Sequence, residues 1–142
     1  RREIICGYAE ILKHSIILKS NFFNWIKNYS SQIIANKNLK LIQNAIVKSC
    51  KVKLFYVNKD TNEKNLRMIL NFGHTFAHGF EGATNFSKKL NHGEAVLLGM
   101  IVASQFSKKI NILSKNNYNL IKNHYVNLKL PMMLKNKIKK KA

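Results

Sequence analysis

The chain has 142 residues, 25 Lys and Arg against 6 Asp and Glu, and a formal net charge of +19. That length suits one domain with a core, and an apolar content of 46% excludes a disordered basic tail. The single Pro, the few Gly and the long periodic stretches point to an all-α fold.

The predicted helices, in chain order, are 2–18, 21–29, 38–57, 66–82, 92–110 and 118–128. In the first, Ile5, Ala9, Leu12, Ile16 and Ile17 form an apolar face, and Glu10 and Lys13 lie one turn apart. Such a pair is ordinarily a surface ion pair, but acidic residues are scarce here, so Glu10 is the best carboxylate distant from the histidines discussed below. Lys59–Asn65 is polar and reads as a turn.

The helix expected over 66–82 is the most informative. Met68, Ile69, Phe72, Phe76 and Phe80 give it an apolar side. Arg67, Asn71, His74, His78 and Glu81 recur in a 4-3-4-3 rhythm, a polar stripe along one helix. Elsewhere solvated faces are written in Lys and Asn, yet no Lys occurs between Met68 and Ser87. The next helix starts with a capping pattern, Asn91 as N-cap and Glu94 three residues on. His92 falls in its first turn, a place that suits a metal ligand because the helix dipole opposes a positive charge there. Catalytic zinc-type sites take three protein ligands. The residues alone nominate His74, His78 and His92, or a carboxylate in place of one.

In order, these pieces are Ala9-Glu10 with Lys13, Lys53, Asp60 and Glu63, Arg67, Asn71-Phe72-Gly73-His74-Thr75, His78, Glu81, and His92-Gly93-Glu94 leading to Gly99-Met100. The pattern resembles the C-terminal helical domain of 3-dehydroquinate synthase over roughly residues 1 to 103. Sugar-phosphate cyclases of other specificity and glycerol dehydrogenase-like enzymes share that architecture and are the alternatives. The resemblance implies Glu10, His74 and His92 as ligands of a divalent metal, zinc or cobalt. His78 is then a substrate-side residue. Lys13, Lys53, Arg67, Asn71 and His78 would grip the phosphate, carboxylate and hydroxyls of an anionic sugar phosphate.

The reaction implied is a phosphate-eliminating cyclisation in the shikimate pathway. 3-Deoxy-arabino-heptulosonate 7-phosphate is oxidised transiently by NAD, loses phosphate, is reduced again and closes by an aldol step to 3-dehydroquinate. The resemblance further implies a homodimer for the full-length enzyme.

The sequence departs from the family in places. Ala77 and Gly79 exchange the usual small residues around His78, a change that packing should survive. Asn65 stands where Gly is common and is expected to take a left-handed turn. His14 stands where an aromatic is usual and reads as packing or surface rather than a ligand. None of the six glycines forms GxGxxG. The expectation is therefore an incomplete helical metal and substrate domain over 1–130 and a frayed lysine-rich tail over 131–142. The nucleotide-binding domain that holds NAD in the family is not represented.

Cys6 and Cys50 lack metal or disulfide spacing, which favours a reducing cytoplasm. The run Ala95–Ala103 is too short to span a bilayer, and there is no signal-peptide pattern. The charge invites a nucleic-acid reading. The lysines, however, are spread evenly, 22 Lys to 3 Arg with 19 Asn and 16 Ile, which reads as coding bias rather than a groove binder. Two function classes remain: part of a metal-dependent cyclase, or a metal-binding or basic domain that has lost catalysis.

Overall fold

A computed structural model describes residues 2–18 and 21–134. The described residues form six α-helices and one 3-10 helix, with no strand among them. The helices are α1 (Arg2–Ile17), α2 (Phe22–Ile34), α3 (Leu39–Lys59), α4 (His74–Ala83), α5 (His92–Lys109) and α6 (Lys115–Leu128), with the 3-10 helix over Leu66–Asn71. They gather into two compact units that divide between Phe72 and Gly73.

In the first unit α1 packs on α2, α3 and the 3-10 helix. The expected apolar face of α1 is only part of what it buries. Five consecutive residues, Ile11 to Ser15, are buried, so the helix is covered on every side at that level. Tyr8, Ala9, Leu12, Ile26 and Ala45 are almost wholly hidden. The buried hydroxyls are satisfied locally. The Tyr8 and Ser30 hydroxyls lie 2.7 Å apart, and Ser30 Oγ donates to the Ile26 carbonyl. Burial raises the Tyr8 pKa well above its usual value, against a smaller opposing effect of Ser30. Helix α2 extends five residues beyond the expected end at 29, because Ile33 and Ile34 are buried. Asn38 caps α3 by accepting from the Leu41 N–H at 3.1 Å.

The expected single helix over 66–82 is not formed. Residues 66–71 wind as a 3-10 helix, Phe72 is extended (φ −52°, ψ 122°), and Gly73 is left-handed at φ +83° before α4 begins at His74. The cause is tertiary. A Cβ on Gly73 would lie 2.7 Å from Met100 Cγ and 2.8 Å from its backbone N, and one on Gly99 would lie 2.0 Å from the Gly73 carbonyl oxygen. The chain thus turns where α4 and α5 bring their backbones together. Ala77, one of the exchanged small residues, is wholly buried, and its N would lie 3.0 Å from that same added Cβ on Gly99. Gly79 has open space around it, so the exchange costs no packing.

In the second unit α5 packs on α4 and α6. Ala95 to Ile101 are all buried. The Tyr125 hydroxyl of α6 donates to the Leu97 carbonyl at 2.9 Å. The capping box on α5 forms as expected: Asn91 Oδ1 accepts from Glu94 N at 2.8 Å, and Glu94 Oε2 accepts from Asn91 N at 3.1 Å. Helix α6 begins three residues before the expected 118, where Ser114 accepts from Asn117 N. Of the expected tail, 135–142 lies outside the described residues. No described helix is long and apolar enough to cross a membrane.

Candidate metal centre and anion-binding residues

The second unit brings three histidines together. His74 is the first residue of α4, and His92 the first of α5. Their ring centres are 5.5 Å apart, with the planes inclined at 63°. A zinc-bound imidazole has its ring centre roughly 3.2 Å from the ion, so two such rings at a tetrahedral angle stand about 5 Å apart. The observed pair fits a shared divalent ion closely. His78, one turn along α4, lies 5.7 Å from His74 by ring centre and almost perpendicular to it. That spacing alone would also permit a second ligand pair.

His92 also meets a carboxylate. Its Nδ1 is 3.0 Å from Glu81 Oε1. The carboxylate is mostly covered, 13% exposed, while the imidazole is half exposed. Sequence reading placed Glu81 on the polar stripe without giving it a task. The available signal was its position seven residues after His74, two helical turns and hence the same side.

In the first unit Lys13 Nζ is 2.7 Å from Glu10 Oε2. This is no ordinary surface pair, since the lysine side chain is 5% exposed and the glutamate 40%. Beside them His14 is buried, with Nδ1 2.6 Å from Ser49 Oγ. Of the two roles expected for His14, it takes packing. Its pKa is pushed down to about 4, first by burial, then by Lys13 and Lys53, with Glu10 opposing. Lys13 of α1 and Lys53 of α3 therefore act on one buried neutral ring, though Lys53 itself is exposed.

Arg67 and Asn71 are brought together by Glu63. Glu63 Oε1 accepts from Asn71 Nδ2 at 3.0 Å, and Glu63 Oε2 is 3.6 Å from Arg67 Nε. Arg67 also donates from Nη1 to the Thr61 carbonyl at 3.0 Å. Asp60 organises this loop. Its carboxylate accepts from the backbone N–H groups of Lys64, Asn65 and Arg67 at 3.0, 2.8 and 3.0 Å. Those three bonds hold its pKa below the usual carboxylate range. With the loop so tied, Asn65 is not left-handed as expected (φ −147°), and Glu63 takes that conformation instead, at φ +52°.

Residues 7–142 match the family model described as 3-dehydroquinate synthase C-terminal. A 3-dehydroquinate synthase of Pelagibacter ubique (strain HTCC1062) is 48% identical over 131 residues, covering 92% of this chain and 35% of that protein. One from Bartonella tribocorum is 40% identical over 135 residues, covering 94% and 35%. The chain thus spans about a third of the length of these relatives. Among solved structures, ValA, a 2-epi-5-epi-valiolone synthase from Streptomyces hygroscopicus with NAD+ and Zn2+ bound, superposes with a TM-score of 0.80 at 22% identity. That likeness covers 93% of this chain and 36% of ValA, and it speaks for the fold.

Proposed function

We propose that this chain, which belongs to the 3-dehydroquinate synthase C-terminal family, is the metal- and substrate-binding part of such a synthase. The reaction is conversion of 3-deoxy-arabino-heptulosonate 7-phosphate to 3-dehydroquinate and phosphate. The observation that carries the reading is the His74–His92 pair, two imidazoles set 5.5 Å apart at the starts of two packed helices. His74 and His92 supply two nitrogen donors, and Glu10 is assigned as the third ligand by its match to the family motif.

When bound, a divalent ion supplies Lewis acidity at the reacting hydroxyl, and NAD supplies the hydride acceptor. The rest falls to this chain's side chains. Lys13 and Lys53 offer point charges to the phosphate and carboxylate, and Arg67 a planar fork. Asn71 donates and accepts toward hydroxyls. His78, whose ring centre is 5.7 Å from that of His74, would hold or pass a proton on the substrate side. Glu63 now occupies Arg67 and Asn71, and a substrate anion would compete with it for both.

The test is zinc binding by the purified chain, read by competition with a chromophoric chelator. Glu10→Ala, His74→Ala and His92→Ala each abolish tight binding, while His78→Ala leaves it largely intact. Equal loss in His74→Ala and His78→Ala would replace this ligand set with a plain HxxxH pair. Unchanged affinity in Glu10→Ala would remove the carboxylate from it.

A further inference from the structure

We infer that Glu81 is a positioning residue for the metal centre, setting the tautomer and orientation of the His92 ring. The inference rests on the assignment of His92 as a ligand. An ionised carboxylate can only accept hydrogen bonds, so at 3.0 Å from Glu81 Oε1 the proton must sit on His92 Nδ1. In the neutral ring the lone pair is then on Nε2, away from Glu81 and available to an ion. Without a fixed acceptor, a half-exposed imidazole could place its proton on either nitrogen and rotate about its side-chain bonds.

The placement is economical in elements. Helix α4 starts with His74 and carries Glu81 two turns on, so one helix supplies a donor ring and also holds the donor ring of α5. The carboxylate is well covered, which keeps water from competing for the proton. Glu81 is among only six acidic residues in a chain of 142, so its partner is not a matter of abundance. The other acidic residue near this helix start, Glu94, is used in the capping box.

Two measurements on the purified chain test this. The first is zinc affinity by chelator competition in wild type, Glu81→Gln, Glu81→Ala and His92→Ala. Loss of such an outer partner weakens metal binding about 10- to 100-fold. Glu81→Ala is expected in that range, with helical content unchanged by circular dichroism. Glu81→Gln keeps an accepting oxygen and recovers part of the loss. The second is the ring-nitrogen NMR spectrum of the zinc-free chain, with His92 assigned by its absence in His92→Ala. Wild type is expected to carry the proton on Nδ1, and Glu81→Ala to populate the Nε2–H form.

Wild-type zinc affinity in Glu81→Ala, or an Nε2–H tautomer in the wild-type chain, overturns the inference. If Glu81→Ala does not fold, the wild-type tautomer decides alone. Loss of zinc in His92→Ala but not in Glu81→Ala sinks only the positioning role. Retention of zinc in His92→Ala sinks the ligand assignment beneath it.

Discussion

His14 makes the stability of this chain depend on pH in a calculable way. Its ring is buried, and its pKa falls from 6.5 to about 4 on folding. Between those values the unfolded chain binds a proton that the folded chain excludes, so stability rises with pH. The contribution is complete above pH 6.5 and is lost as pH falls toward about 4. One proton is worth about 1.4 kcal/mol per pH unit, so the interval amounts to roughly 3 kcal/mol. The perturbation is His14→Phe, which keeps a planar ring and removes the titration. It also strands the buried Ser49 hydroxyl, costing about 1–3 kcal/mol at every pH. The assay is urea unfolding of the metal-free chain, with chelator present, at intervals from pH 4 to 7.5. Wild type should lose roughly 3 kcal/mol more than the variant on going from pH 7 to pH 4. Carboxylates such as Asp60 titrate in both proteins and cancel in the difference. Parallel curves for the two proteins would refute the argument, as would an NMR titration of the His14 ring with its midpoint near 6.5.

Other changes probe the supports of the site. Gly99→Ala drives a methyl into the Gly73 carbonyl oxygen, and the backbone must shift. It should cost about 3 kcal/mol by urea unfolding and also weaken zinc binding, because the shift moves His74 relative to His92. No change in either would show that the close approach of α4 and α5 is dispensable. Asp60→Ala removes the acceptor of three backbone N–H groups. Hydrogen exchange at Lys64, Asn65 and Arg67 should accelerate while exchange in the α5 core stays unchanged, and equal protection in both proteins would refute the role. The contrast between His74→Ala and His78→Ala in zinc affinity remains the most direct check on the ligand set.

The sequence by itself determined the helical class and most helix starts, for physical reasons that are local. Asn38 and Asn91 each accept a hydrogen bond from an N–H three residues on, and a cap acts within one turn. The residue types of the site were equally legible, because Arg, His and Glu stand out against a background of Lys and Asn. Tertiary structure decided what periodicity cannot carry. Arg67, Asn71, His74, His78 and Glu81 have helical spacing, but spacing does not reveal that the backbone reverses to φ +83° at Gly73. That turn exists because α5 presents Gly99 and Met100 there, more than twenty residues away in the chain. The same holds for charge and contact. Burial makes Lys13 and His14 interior groups although Glu10 and Lys13 have the spacing of a surface pair. Glu81 finds His92 only because α4 packs on α5, and the partner of a carboxylate is set by what folds against it, not by the residues beside it.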